Sequence, residues 1–184
     1  MSERSAATDR LERILSITVG IAAIVAVVVS LYQASLARQQ LRASAWPYLA
    51  QTNSFTPGNP YLRTVSNDGV GPARIKSFRV LVDGKPVPTW NAAVTALTGE
   101  GEPALVYSSL GRGSVLPPAA KAVVLMLPSG ARAVRFFQAA QTRLRTVACY
   151  CSVYDECWTS DSEAPESRAV AICADTTDQF QRAQ

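Results

Sequence analysis

The chain has no histidine. That removes the commonest general base, the usual pH switch near neutrality and the commonest imidazole metal ligand. It excludes Ser–His and Cys–His pairings, and no G-x-S-x-G stretch is present. A hydrolase would have to use a Ser/Lys dyad built on Lys76, Lys85 or Lys121. Charged residues are sparse, at 17%, and no two Lys or Arg residues are adjacent. With no basic run and no recognised reading motif, no nucleic acid is expected as a partner. Gly111-Arg112-Gly113-Ser114 lacks the remainder of a phosphate loop. No catalytic residue, metal or cofactor is therefore assigned.

What is present begins with an apolar run. Residues 14–32, ILSITVGIAAIVAVVVSLY, carry no charge. As a helix at 1.5 Å per residue they span about 28 Å, close to a hydrocarbon core of about 30 Å. The run exceeds the roughly 7–15 residues of a signal-peptide core. An uncleaved signal anchor is expected, with cleavage near Ser35-Leu36-Ala37 as the alternative. Arg4, Arg10 and Arg13 lie in the polar segment 1–13, and Arg38 and Arg42 follow the run. The imbalance predicts a cytoplasmic N-terminus and an exported C-terminal part. Ala22, Ala26, Ser30 and Ala34 recur every fourth residue, so helical geometry places them on one stripe. Such a stripe admits close approach of a second helix, for self-association or a partner. Residues 33–45 are rich in helix formers and predict a helical stalk ending near Trp46-Pro47. Trp46 and Tyr48 are expected as the first core residues of the following domain.

The net charge of +4 conceals an asymmetry. Residues 46–145 hold 11 Lys or Arg against 4 Asp or Glu, and residues 146–184 hold 2 against 7. Folded together, the basic body and acidic tail neutralise each other. The alternative is a tethered binder of anionic polymer or lipid using Arg132, Arg135, Arg143 and Arg145.

From residue 48 the apolar period shifts toward two, with turn signals at short intervals. Strands are predicted at 48–56, 61–66, 73–82, 85–88, 105–110, 114–116, 121–127, 145–154 and 168–174. In 73–82, Ile75, Ser77, Arg79 and Leu81 are expected to alternate with Lys76, Phe78, Val80 and Val82. Asp83-Gly84 reads as a tight hairpin turn. Thr89 is the expected N-cap of a helix burying Trp90, Ala93, Val94 and Leu97. Ser129 is the expected cap of a second helix, 131–144, with Val134, Phe137, Gln141 and Leu144 on one face and Phe136 and Ala140 beside it. Lys121 to Leu127 is the most apolar strand and is expected to be central in a sheet. The tail 175–184 is polar and expected to fray. The class is mainly β with α: one N-terminal transmembrane helix plus an antiparallel β-sandwich, residues 46–174, carrying one or two short helices.

The stretch N-D-G-V-G-P-A at residues 67–73, followed by a strand and the Asp83-Gly84 turn, resembles a pattern in uncharacterised bacterial single-pass membrane proteins. The resemblance implies a helix preceding an immunoglobulin-like β-domain, and it brings no activity.

Four cysteines, Cys149, Cys151, Cys157 and Cys173, carry the strongest local signal. Their C-x-C-x5-C-x15-C spacing fits zinc ligand pairs poorly. An even count in an exported domain favours two disulfides. Cys149 and Cys151 share a strand face and are not expected to bond to each other. The expected pairs are Cys149–Cys173 and Cys151–Cys157, with exchanged pairing as the alternative. Cys173 is placed on a last strand running antiparallel beside the Cys149 strand. Redox work is a third reading, disfavoured by seven acidic neighbours and no C-x-x-C. The acidic loop 155–166 has no EF-hand register and is expected to be solvated. Trp158, beside Cys157, is the leading candidate for a partner contact, with Arg132 and Arg135 after it. The expected function is a membrane-anchored, disulfide-stapled protein-interaction or scaffold module. An exported redox or hydrolytic enzyme is the alternative.

Overall fold

The computed structural model describes residues 2–101, 108, 110–174 and 180, with side chains from residue 13 onward. The chain divides into two units, Met1–Ala43 and Ser44–Gln184. The first is helical: α1 runs from Ser2 to Ser44. Within it Arg13–Ser44 has a mean hydropathy of 2.7 over its most apolar window, and none of that window is buried. It is long and apolar enough to cross a membrane. The hydroxyls of Thr18 and Ser30 donate to the carbonyls of Ile14 (2.8 Å) and Ala26 (2.7 Å) within the helix. That back-bonding satisfies both groups without water.

The described residues of the second unit form two antiparallel sheets and two helices around one core. Its elements are β1 (Leu49–Ser54), β2 (Tyr61–Asn67), β3 (Ala73–Val82), β4 (Lys85–Val87), α2 (Trp90–Thr98) and β5 (Val115–Leu116). Then come β6 (Lys121–Leu127), α3 (Ala131–Arg143), β7 (Leu144–Cys151), β8 (Cys157–Asp161) and β9 (Arg168–Val170). One sheet has the order β1-β2-β6; the other runs β4-β3-β7-β8-β9, with β5 also paired to β3. Tyr61, Phe78, Trp90, Leu125, Phe136 and Tyr150 bring both sheets and both helices into one apolar cluster. Local signals explain much of this. Asp83 and Gly84 both take positive φ, 51° and 76°, as a two-residue hairpin requires. The Thr89 side chain accepts from the Ala92 N–H at 3.2 Å and caps α2, whose buried face is Trp90, Ala93, Val94 and Leu97.

Other expectations are corrected. The strict alternation expected in β3 fails at Lys76, where the register against β7 slips by one residue. Inward positions change from Ala73 and Ile75 to Phe78, Val80 and Val82, while buried Ser77 shares the face of its partner Cys149. A second slip, at Val124 in β6, turns both Val124 and Leu125 inward. Each is a bulge, in which one extra residue resets the pleat. Among the described strands β6 ends the β1-β2-β6 order, and on its other side the Val123 carbonyl accepts from the Ser108 N–H at 2.9 Å. α3 starts at Gly130 with no side-chain cap, so Ser129 does not serve that role. Its buried face is Ala133, Phe136 and Ala140, while Val134 is exposed. The shift follows from Leu144, which begins β7 instead of ending the helix. Residues 157–161 of the expected acidic loop are the strand β8, which separates β7 from β9. Trp46 is 45% exposed and Tyr48 half-buried, so neither is a core residue. The strand expected at 105–110 lies outside the described residues, apart from Ser108 and Leu110. The tail expected to fray also lies outside them, apart from Phe180. That ring is buried, packed edge-on against Trp90 (centroids 5.1 Å apart) and Phe78 (6.0 Å).

The N-D-G-V-G-P stretch is a clasp. Asn67 is fully buried, and its carboxamide makes four hydrogen bonds. Oδ1 accepts from the N–H groups of Tyr48 and Gly69, both at 3.1 Å. Nδ2 donates to the carbonyls of Gly71 (2.8 Å) and Leu116 (2.9 Å). The loop also holds residues 46–48 by backbone: Asp68 and Val70 donate to the Tyr48 and Trp46 carbonyls at 2.8 and 3.0 Å. A Cβ on Gly69 would stand 2.4 Å from the Tyr48 nitrogen, and one on Gly71 would stand 2.0 Å from the Ala45 oxygen. Both glycines are there for close backbone approach.

A polar network links the sheets. The Gln51 amide donates to the Ser160 carbonyl and hydroxyl, both at 3.2 Å, and its oxygen accepts from the Thr146 hydroxyl. Buried Arg63 donates to Thr146 and, at 3.0 Å, to Asn53. Asn53 also accepts from the Tyr61 hydroxyl at 3.0 Å.

Candidate functional site

The site is the outer face of β7 and β8. Cys149 and Cys151 are two residues apart on β7, so both point to that face; their cross-strand partners are Thr159 and Cys157. Cys151 and Cys157 are bonded, with Cα atoms 4.0 Å apart. Cys149 is bonded to Cys173, Cα atoms 5.8 Å apart. This is the pairing expected from the strand positions, but the expected route differs. Cys173 does not lie on a strand beside β7: β9 stops at Val170, and the chain then crosses back over β8. No cysteine is free. The Cys151, Cys157 and Cys173 sulfurs lie within 4.8 Å of one another, a grouping that would suit a soft metal only if reduced. With every sulfur in a disulfide, no thiolate ligand is available.

The two bonds touch. Cys151 Sγ is 3.8 Å from Cys173 Sγ. The Thr159 hydroxyl donates to Cys149 Sγ at 3.7 Å, and Cys157 Sγ lies 3.4 Å from the Asp155 carbonyl oxygen. An open cavity of about 370 Å³ exposes this group, lined by Lys76, Arg112, Asp155, Ile172 and three of the cysteines. Lys76 is the bulge residue of β3, and the bulge is what places it beside sulfurs of β7. Sequence reading missed Lys76 and Arg112 here. Its only signal was the excess of basic residues over 46–145, without a hint of where they meet the cysteines.

The acidic neighbours are mostly engaged elsewhere. Asp155 pairs with Arg74 at 3.0 Å. Asp161 holds Arg145 bidentately, and Glu163 reaches the same guanidinium at 3.5 Å. The hydrogen bond from Arg145 keeps the Asp161 carboxyl below its ordinary range, and Arg143 does the same for exposed Asp83. Burial raises the phenols of Tyr61 and Tyr150.

The other named residues fall apart from this face. Trp158 points the opposite way from Cys157, half-buried and stacked on Tyr150 with centroids 5.9 Å apart. Arg132 and Arg135 both pair with Glu100 beside the start of α3. All four arginines considered for polymer binding are thus in ion pairs, Arg132 and Arg135 sharing the one Glu100 carboxylate. Exposed apolar side chains include Val153 and Tyr154 in the β7–β8 turn and Ile172, which lines the cavity and is 78% exposed. No protein-family model, curated protein or solved structure matches the chain.

Proposed function

We propose that the chain is a single-pass envelope protein of the bacterial inner membrane that acts by binding another protein. Residues 14–32 cross the bilayer, residues 1–13 face the cytoplasm, and the β-domain is exported as an immunoglobulin-like sandwich. The observation that carries this reading is α1, whose apolar surface is left wholly uncovered. In water that surface is costly; in lipid, or against another transmembrane helix, it is satisfied. Two disulfides support an oxidising compartment for the domain. Ala22, Ala26, Ser30 and Ala34 supply a close-packing stripe, and the internally bonded Ser30 hydroxyl adds to its smooth surface. The contact with a partner is placed at Tyr154 and Ile172, since exposed apolar side chains beside a rigid staple suit recognition better than half-buried Trp158 or paired Arg132 and Arg135.

Photocrosslinking in intact cells tests this. A photoreactive residue at 154 or 172 should give a discrete protein adduct, and one at 135 should not. A reporter active only outside the cytoplasm, fused after Gln184, should be active. A silent exported reporter overturns the topology. An active reporter with no adduct at 154 or 172 overturns the contact.

A further inference from the structure

We propose that the two disulfides form a thiol–disulfide exchange site, taking electrons from a dithiol at Cys173 and passing them to Cys157. This stands on the sulfur geometry and does not depend on the protein-binding reading. Of the four cysteines only Cys173 is partly exposed; Cys149, Cys151 and Cys157 are 8%, 1% and 8% exposed. An incoming thiolate therefore meets Cys173 first, in a cavity lined by Lys76 and Arg112 where the one carboxylate, Asp155, is paired with Arg74, so Lys76 favours the anionic sulfur. The bulge at Lys76 disrupts the ladder at this point and turns a lysine toward the cavity, the kind of re-aiming for which bulges are used beside reactive sites.

The steps balance. The dithiol's first sulfur attacks Cys173, the Cys149–Cys173 bond breaks, and Cys149 leaves as a thiolate stabilised by the Thr159 hydroxyl. The dithiol's second sulfur closes its own ring as a disulfide and releases Cys173 as a thiolate. Two electrons have entered the protein, and the two protons of the dithiol remain to be placed. Cys173, 3.8 Å from Cys151, then attacks that sulfur: Cys151–Cys157 breaks and Cys151–Cys173 forms. Cys157 leaves, takes one proton and has the Asp155 carbonyl, 3.4 Å away, as acceptor. Cys149 takes the other. The two-electron form thus carries one disulfide, Cys151–Cys173, and thiols at Cys149 and Cys157.

The test is graded reduction of the full chain in detergent with dithiothreitol, followed by alkylation and peptide mapping. The expected two-electron species is alkylated at Cys149 and Cys157 and retains Cys151–Cys173. A species alkylated at Cys149 and Cys173 with Cys151–Cys157 intact overturns the proposal, as does direct passage to four thiols. In Cys149→Ser, which starts with one free thiol, the label should divide between Cys173 and Cys157; label on Cys173 alone overturns the exchange step. Lys76→Gln should slow the first reduction, and an unchanged rate overturns the role given to the bulge.

Discussion

The β-domain secures the two ends of its chain by opposite means. Where the chain enters, residues 45–48 are clasped by the loop 67–72 through one buried asparagine and two glycines, with no covalent bond. Where it leaves, two disulfides pin β7, β8 and the segment beyond β9, and Phe180 plugs the core. The first solution demands exact fit, since every group on Asn67 is committed and a single Cβ cannot be accommodated. The second tolerates sequence change around it but depends on the redox state of its surroundings. The non-covalent end should therefore be the more fragile to mutation, and the covalent end the more fragile to reductant.

The largest effect is expected at the clasp. Asn67→Ala strands the Tyr48 and Gly69 N–H groups and the Gly71 and Leu116 carbonyls, at about 1–3 kcal/mol for each group left buried and unpaired. Against a total of about 5–15 kcal/mol, much of the domain's stability should go. Gly71→Val should be at least as damaging. Urea unfolding of the full chain in detergent measures both, and a loss smaller than that of removing a disulfide would invert the comparison.

Phe180→Ala should come next, at about 3–4 kcal/mol, by opening a cavity against Trp90 and Phe78. Thermal unfolding reads it directly. A neutral result would show that the exit is held by its disulfides alone.

Among the disulfides, Cys149→Ser opens the loop of sequence separation 24 and should cost about 3 kcal/mol. Cys157→Ser opens one of separation 6 and should cost about 2 kcal/mol. The second should chiefly loosen the β7–β8 turn, seen as faster amide exchange at residues 152–156. Equal midpoints for the two variants would argue against loop entropy as the source.

The smallest effect is expected from acid. Asp83 and Asp161 are held below the ordinary carboxylate value, so their pairs contribute stability above about pH 4, lost as pH falls through the lowered values. Arg145→Gln should cost under about 1 kcal/mol at neutral pH, since the pair is partly exposed, and should flatten the acid limb. An unchanged pH profile would remove Arg145–Asp161 from the forces holding the exit.

The comparisons bear on how much could be read in advance. Thr89 with its four buried residues, the Asp83-Gly84 turn and the apolar run of α1 rest on chemistry within a few residues, and sequence reading placed all of them. The two-apart cysteines on β7 excluded a bond to each other, because period two puts both sulfurs on one face, but left open which of them takes Cys173. Period two failed where one residue was inserted into it. The bulges at Lys76 and Val124 exist only relative to a partner strand, so β3 and β6 each read alone as unbroken strands. Residues 157–161 read as an acidic loop because Asp161, Glu163 and Asp155 look unpaired until Arg145 and Arg74 arrive from elsewhere in the chain.

The sequence by itself determined the local elements: a helix long and apolar enough to span a bilayer, a capped α2, a hairpin turn, and cysteines on a shared strand face. Each follows from backbone preference or side-chain period over a few positions. Tertiary structure alone decided the rest. It brought Phe180 into the core, gave Asn67 two partners far along the chain, Tyr48 and Leu116, and laid one disulfide against the other beside Lys76. Those outcomes depend on contacts between residues tens of positions apart, whose energies no local window contains.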